Sequence, residues 1–123
     1  MNPGRGSIAR VRAICLALPE AVEKPFGDHT APAFRVRNKF FVMLAEDGST
    51  MNVKAPKGVQ GILRRADPER FFVPKYVGHI GWVGVRLDLH TQPGWEEMAE
   101  MIAESYCLIA PKRLAAQVAL PAD

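Results

Sequence analysis

The sequence predicts an α+β fold, with an antiparallel five-stranded sheet packed on helices in the order α-β3-α-β2-α. Three observations carry that prediction. Apolar residues recur at helical spacing between residues 8 and 18 and again after residue 94. Three short β-rich runs separated by turn signals lie between residues 33 and 54. Two more such runs flank a loop rich in glycine and aromatics between residues 71 and 87.

Ser7 is a suitable N-cap, and Ile8, Val11, Ile14, Cys15 and Leu18 fall on one side of a helix over about 7 to 18 that Pro19 should end. From Pro19 to Pro32 the chain is rich in Pro, Gly and polar residues and reads as an ordered loop carrying Phe26 inward. Ala33 to Val36, Phe40 to Ala45 and Thr50 to Lys54 read as strands, with Asn38 and Asp47-Gly48 supplying the positive-φ positions that tight hairpins require. Pro56 suits the first turn of a second helix, buried along Val59, Ile62, Leu63 and Ala66 and solvated along Lys57, Gln60 and Arg64. Asp67-Pro68 breaks it. Phe71 to Val73 and Trp82 to Leu87 read as two further strands joined by Pro74 to Gly81. Pro93-Gly94 precedes a long helix with Trp95, Met98, Ile102, Tyr106 and Ile109 inward, and Pro111 starts a short final helix through about Val118.

The 123 residues suffice for one domain spanning 1–123 that buries a core without disulfides or a structural metal. No run approaches the roughly 18 apolar residues of a membrane helix. Residues 1 to 12 carry Arg5, Arg10 and Arg12 with no apolar signal core, so no membrane association and a cytoplasmic address are expected. Cys15 and Cys107 have no ligand-type neighbours and read as buried, reduced thiols. The net charge of +3 decides little, but its distribution is uneven. Residues 35 to 65 hold Arg35, Arg37, Lys39, Lys54, Lys57, Arg64 and Arg65 against Glu46 and Asp47. Between Trp95 and Ala110 the charges are Glu96, Glu97, Glu100 and Glu104, which should form a separate, acidic, solvated face.

Catalytic groups are not evident. His29, His79 and His90 lack a second ligand at helix or hairpin spacing, so neither a metal nor another cofactor is expected. Asp28-His29 are adjacent and seldom aim at one another. Ser7, Ser49 and Ser105 have no nucleophile-elbow context, and a non-enzymatic protein is expected. The glycines of Gly78-His79-Ile80-Gly81-Trp82-Val83-Gly84 lack the strand-to-helix placement of a phosphate loop and are read as allowing turns and close packing. Arg37 and Lys39 flank a hairpin turn, a geometry suited to a nucleic-acid phosphate backbone, although polar turns and edge cations that deter aggregation are the commoner arrangement. Phe71, Phe72, Tyr76 and Trp82 lie near Lys54, Lys75 and Arg86 in the expected sheet; they form either a core with cations at its margin or a site that stacks bases or holds a small anion.

Pro25-Phe26-Gly27, Ala33-Phe34-Arg35-Val36, the block Asp67-Pro68-Glu69-Arg70-Phe71-Phe72-Val73-Pro74-Lys75-Tyr76-Val77-Gly78, and Gly81-Trp82-Val83-Gly84-Val85 together resemble the MmcQ/YjbR family. Ala110-Pro111-Lys112-Arg113-Leu114 fits as well, so the resemblance covers roughly Ala13 to Leu114. It implies a two-layer fold similar to type III secretion chaperones, distantly frataxin-like, and DNA binding through a proposed double-wing arrangement. Asn38 stands where relatives often have glycine, and Lys75 where many have a second proline. The first functional expectation is therefore non-specific binding of duplex DNA through Arg37, Lys39, Lys57, Arg64 and Lys75. The alternatives are a protein-interaction or dimerising module, which leaves a homodimer open, and a small-anion pocket around Lys54, Tyr76, Trp82 and Arg86.

Overall fold

A computed structural model describes residues 3–28, 30–87 and 94–118. The chain runs α1 (Pro3–Leu16), β1 (Val22–Glu23), β2 (Ala33–Val36), β3 (Lys39–Leu44), β4 (Thr50–Lys54), α2 (Val59–Ala66), β5 (Phe71–Phe72), β6 (Trp82–Arg86), α3 (Trp95–Ile109) and α4 (Lys112–Ala115), with a 3-10 turn at Gly78–Ile80. The strands form one sheet in the order β1-β2-β3-β4-β6-β5. Every neighbouring pair is antiparallel.

The register separates the two faces of the sheet. Val42 lies opposite Val53, Leu44 opposite Met51, and Val83 and Val85 continue the row from β6. These side chains are buried beneath α3, which crosses β3 and β4 and contributes Met98, Ile102 and Tyr106. Alongside α3 lies α1, with Val11 and Cys15 fully buried. Each apolar side chain of this kind removed from water contributes roughly 1.5–3 kcal/mol, so the helix side of the sheet holds most of the stabilising burial. On the other face the same alternation presents Arg35, Phe40, Met43, Asn52, Lys54, Trp82, Gly84 and Arg86.

Between β2 and β3 the pairing shifts: Phe34 faces Val42 but Arg35 faces Phe40, so Phe41 is an extra residue in β3. The bulge turns Phe41 inward as well as Val42, and its ring meets Tyr106 edge-on at 5.3 Å. Ser105 of α3 spans the local gap. Its hydroxyl donates to the Phe41 carbonyl at 2.6 Å and accepts from the Lys54 amide at 2.8 Å. The Tyr106 hydroxyl donates to the Pro19 carbonyl at 2.6 Å, which ties the end of α1 to the same region.

The hairpin chemistry follows the sequence closely. Val36 pairs with Lys39, so the β2–β3 loop is Arg37 and Asn38 alone, both at positive φ (49° and 66°), as a primed two-residue turn demands. Gly48, at φ 76°, serves the β3–β4 turn, where Asp47 Oδ1 accepts from the Ser49 amide. Gly84 is dictated by contact rather than conformation: a Cβ there would stand 2.4 Å from the Phe72 ring.

Several expectations need correction. The sheet has six strands, because Val22 and Glu23 pair with Arg35 and Phe34 inside the segment read as a loop. Both are exposed, so β1 is held by main-chain pairing and leaves no apolar alternation to read. Phe26 points outward and is 62% exposed. Helix α1 covers 3–16 rather than 7–18, and α4 is confined to 112–115, with single turns continuing to Val118. Helix α2 starts at Val59, after a left-handed Gly58, so Pro56 precedes it rather than opening it. It buries no residue fully: Val59 and Leu63 are half-buried, whereas Ile62 and Ala66 are exposed. Gln60 is not on a solvated face, since its amide donates to the Gly78 and Trp82 carbonyls at 2.7 Å each. Cys15 is buried, and that burial pushes its thiol far up, whereas Cys107 is only half-buried. His29, His90 and Pro93 lie outside the described residues.

Candidate functional site

Two regions gather side chains that sequence reasoning singled out. The first is one end of the sheet. β2 runs towards it and β3 away from it, β4 ends there and β6 begins there. The Arg37–Lys39 hairpin and Lys57, three residues past β4, therefore share that end, and all three are exposed. Arg37 is engaged: its guanidinium grips Glu20 through Nε to Oε1 at 2.7 Å and a second nitrogen to Oε2 at 3.1 Å. The Glu20 carboxyl is held below its usual range, first by that hydrogen bond and more weakly by the charge of Arg113. Arg113, at the start of α4, is exposed and its charge reaches Glu20, although sequence reasoning did not count it among the candidate phosphate contacts. Arg35 is committed elsewhere. Its guanidinium lies 4.0 Å over Phe40 and donates to Asn38 and to the Lys24 and Pro25 carbonyls. Arg64 is exposed further along α2.

The second region is a cleft of about 640 Å³ on the face of the sheet opposite α3. Ala33, Met43 and Asn52 supply its floor, Ala31 and Pro32 one flank, and Lys75, Tyr76 and Val77 the other. Phe26 closes the first flank, packed against Phe40 with centroids 6.0 Å apart. Tyr76 stands at the opposite flank and is 90% exposed. Its backbone adopts φ 69°, and the Val77 amide donates across it to the Lys75 carbonyl at 2.7 Å, a γ-turn of the rare and strained positive-φ hand. The turn is held from behind: the Gly78 amide reaches the Pro74 carbonyl at 2.9 Å, and Gln60 binds the Gly78 carbonyl. Gly78 permits this closeness, since a Cβ would meet Val73 Cγ1 at 2.4 Å.

Of the residues grouped as an anion pocket, Tyr76 borders the cleft, while Lys54, Trp82 and Arg86 lie elsewhere on the same face. Trp82 is buried, and Arg86 stacks 4.7 Å over Phe72 and donates to the Pro68 and Glu69 carbonyls. Lys75, expected beside the other phosphate contacts, borders the cleft instead. Phe26, Met43 and Asn52 were not anticipated there. Met43 and Asn52 were legible only through the register, because each lies opposite the other with outward parity. No group of three or more His, Cys, Asp or Glu among the described residues could hold a metal ion, and no described helix is long and apolar enough to cross a membrane.

An antiparallel sheet with α1 and α3 on one face and a loop-walled cleft on the other defines a small two-layer α+β domain of the YjbR-like kind. The YjbR family model matches residues 16–108, and the chain belongs to that family. Among solved structures it is similar to Deinococcus radiodurans protein DR2400, which carries the family-model domain DUF419. That likeness has a TM-score of 0.75 at 23% identity, over 93% of this chain and 88% of that one, and shows a shared fold. A comparison with curated proteins finds no match.

Proposed function

We propose that this protein binds duplex DNA without sequence preference, meeting phosphates at the cationic end of its sheet. The observation that supports this reading is the convergence of Lys39, Lys57 and the Arg37 hairpin on one end of the sheet, with the charge of Arg113 felt at Glu20 beside it. Lys39 and Lys57 carry no carboxylate partner among the described residues, so their charge is available. A projecting two-residue hairpin beside a loop of free lysine is a geometry that can follow a phosphate backbone, where contacts orient without reading bases. Arg64, further along α2, is exposed as well and adds to the net positive charge. The reading requires neither catalysis nor a cofactor.

The test is the salt dependence of duplex binding by fluorescence anisotropy. With three or four phosphates neutralised, log affinity should fall against log salt with a slope of about −3, because each contributes about −0.9. The double change Lys39→Ala with Lys57→Ala should lower affinity and flatten the slope by about two units while leaving the urea midpoint in place. Absence of binding at about 50 mM salt, where the electrostatic contribution is large, would reject the reading.

A further inference from the structure

We infer that the cleft between Phe26 and Tyr76 is a binding site for a small planar aromatic monoanion, such as an aromatic carboxylate. The inference is independent of the cationic end and concerns the opposite-face cleft alone. At about 640 Å³ the cleft lies within the size range of small-molecule sites, and its floor and flanks are mostly apolar. Two aromatic rings, largely exposed, stand on its opposite flanks, where they can cover a flat body. The polar groups are few. The Lys75 ammonium has no carboxylate partner among the described residues, and the Asn52 side-chain amide has no hydrogen-bond partner there. One cation matches one anionic group, and an amide that both donates and accepts suits a ring heteroatom or the second carboxylate oxygen. Glu46, beyond the Ala31 flank, is engaged by the Thr30 hydroxyl at 2.5 Å.

The conformation of Tyr76 is the second, independent observation. A bulky residue at positive φ is strained, and here the strain places a ring almost wholly in water, where it gains no burial to offset the cost. The surrounding bonds from Gln60 and Gly78 enforce the turn, so the exposed ring is a built feature of the loop. A ligand that slid beneath Tyr76 would return the missing burial.

The probe is 2-naphthoate, with neutral 2-naphthamide and adenosine monophosphate as comparison ligands. Titration should move the Met43 methyl and Asn52 side-chain amide resonances saturably, and the amide ligand should bind about threefold to tenfold more weakly. Lys75→Gln should remove that difference between the two naphthyl ligands. Tyr76→Gly should weaken both while raising the unfolding midpoint, because it releases the positive-φ strain. Four results would overturn the proposal: no saturable shift up to about 5 mM ligand, at which even millimolar affinity would be seen; shifts confined to other parts of the molecule; a carboxylate preference that survives Lys75→Gln; or tighter binding of adenosine monophosphate, which would make the cleft a nucleotide site. Duplex DNA binding measured on Tyr76→Gly reports separately on the cationic end.

Discussion

Ser105 shows how a residue without catalytic context can be indispensable. Its hydroxyl replaces one rung of the β3–β4 ladder, donating to Phe41 and accepting from Lys54, and no solvent reaches it. Removing the hydroxyl leaves a buried carbonyl and a half-buried amide without partners, and stranding such groups costs about 1–3 kcal/mol. Ser105→Ala should therefore lower the unfolding free energy by about 2 kcal/mol in urea titrations, with an unchanged m-value. A loss below about 0.5 kcal/mol would mean that Phe41 and Lys54 close their own rung once the hydroxyl is gone. In sequence, Ser105 sits among Glu104, Tyr106 and Cys107 with nothing to distinguish it. Its role is created by a bulge in a distant strand, and bulges leave almost no local signal.

At the scale of elements, the legible features were those in which a residue's own chemistry decides its surroundings. Asn38 and Gly48 mark turns because few other residues accept positive φ, and the apolar spacing of α3 marks its inward side because burial follows period. What stayed hidden depends on partners far along the chain. The strand Val22–Glu23 is such a case: it has two exposed residues, main-chain bonds to β2, and two ion pairs around it. Arg12 of α1 grips Glu23 at 2.7 and 3.0 Å, and Arg37 grips Glu20. The cleft was half legible for the same reason. Lys75 and Tyr76 stand out in the sequence, but Met43 and Asn52 join them only through strand register.

The two ion pairs also make β1 sensitive to acid. Hydrogen bonds from Arg12 and Arg37 hold the Glu23 and Glu20 carboxyls below the ordinary value of 4.5. Their contribution is complete above that value and is lost as pH falls through the lower value of the folded state. Amide exchange at Lys24, which donates to the Ala33 carbonyl at 2.9 Å, should lose protection as pH is taken from neutrality to well below 4.5, after correction for intrinsic rates. Amides of β4 in the sheet centre should hold. Equal protection of Lys24 at both ends of that range would show that main-chain pairing alone retains the strand.

On the scale of the whole molecule, charge is laid out along the sheet. Arg37, Lys39 and Lys57 lie at one end, whereas Glu46 and Asp47 occupy the β3–β4 turn at the other, and Glu96, Glu97, Glu100 and Glu104 line the exposed side of α3. A polyanion would approach this field from the cationic end, where Glu20 is the carboxylate that opposes it. Glu20→Gln gives the clearest test of direction, because a merely structural pair would leave duplex affinity unchanged, whereas a pair that competes with phosphate would raise it when broken. The pair with Arg37 is exposed, and such pairs contribute little to stability, so the unfolding midpoint should barely move. Duplex affinity should rise severalfold, and the salt slope should steepen by about one unit, since Arg37 becomes free to neutralise a phosphate. Adding Arg37→Ala to that background should return both quantities to near their starting values. If Glu20→Gln instead weakens binding at an unchanged midpoint, Arg37 needs its carboxylate to hold the hairpin in a competent shape; if neither affinity nor salt slope moves, the phosphates are met by another surface.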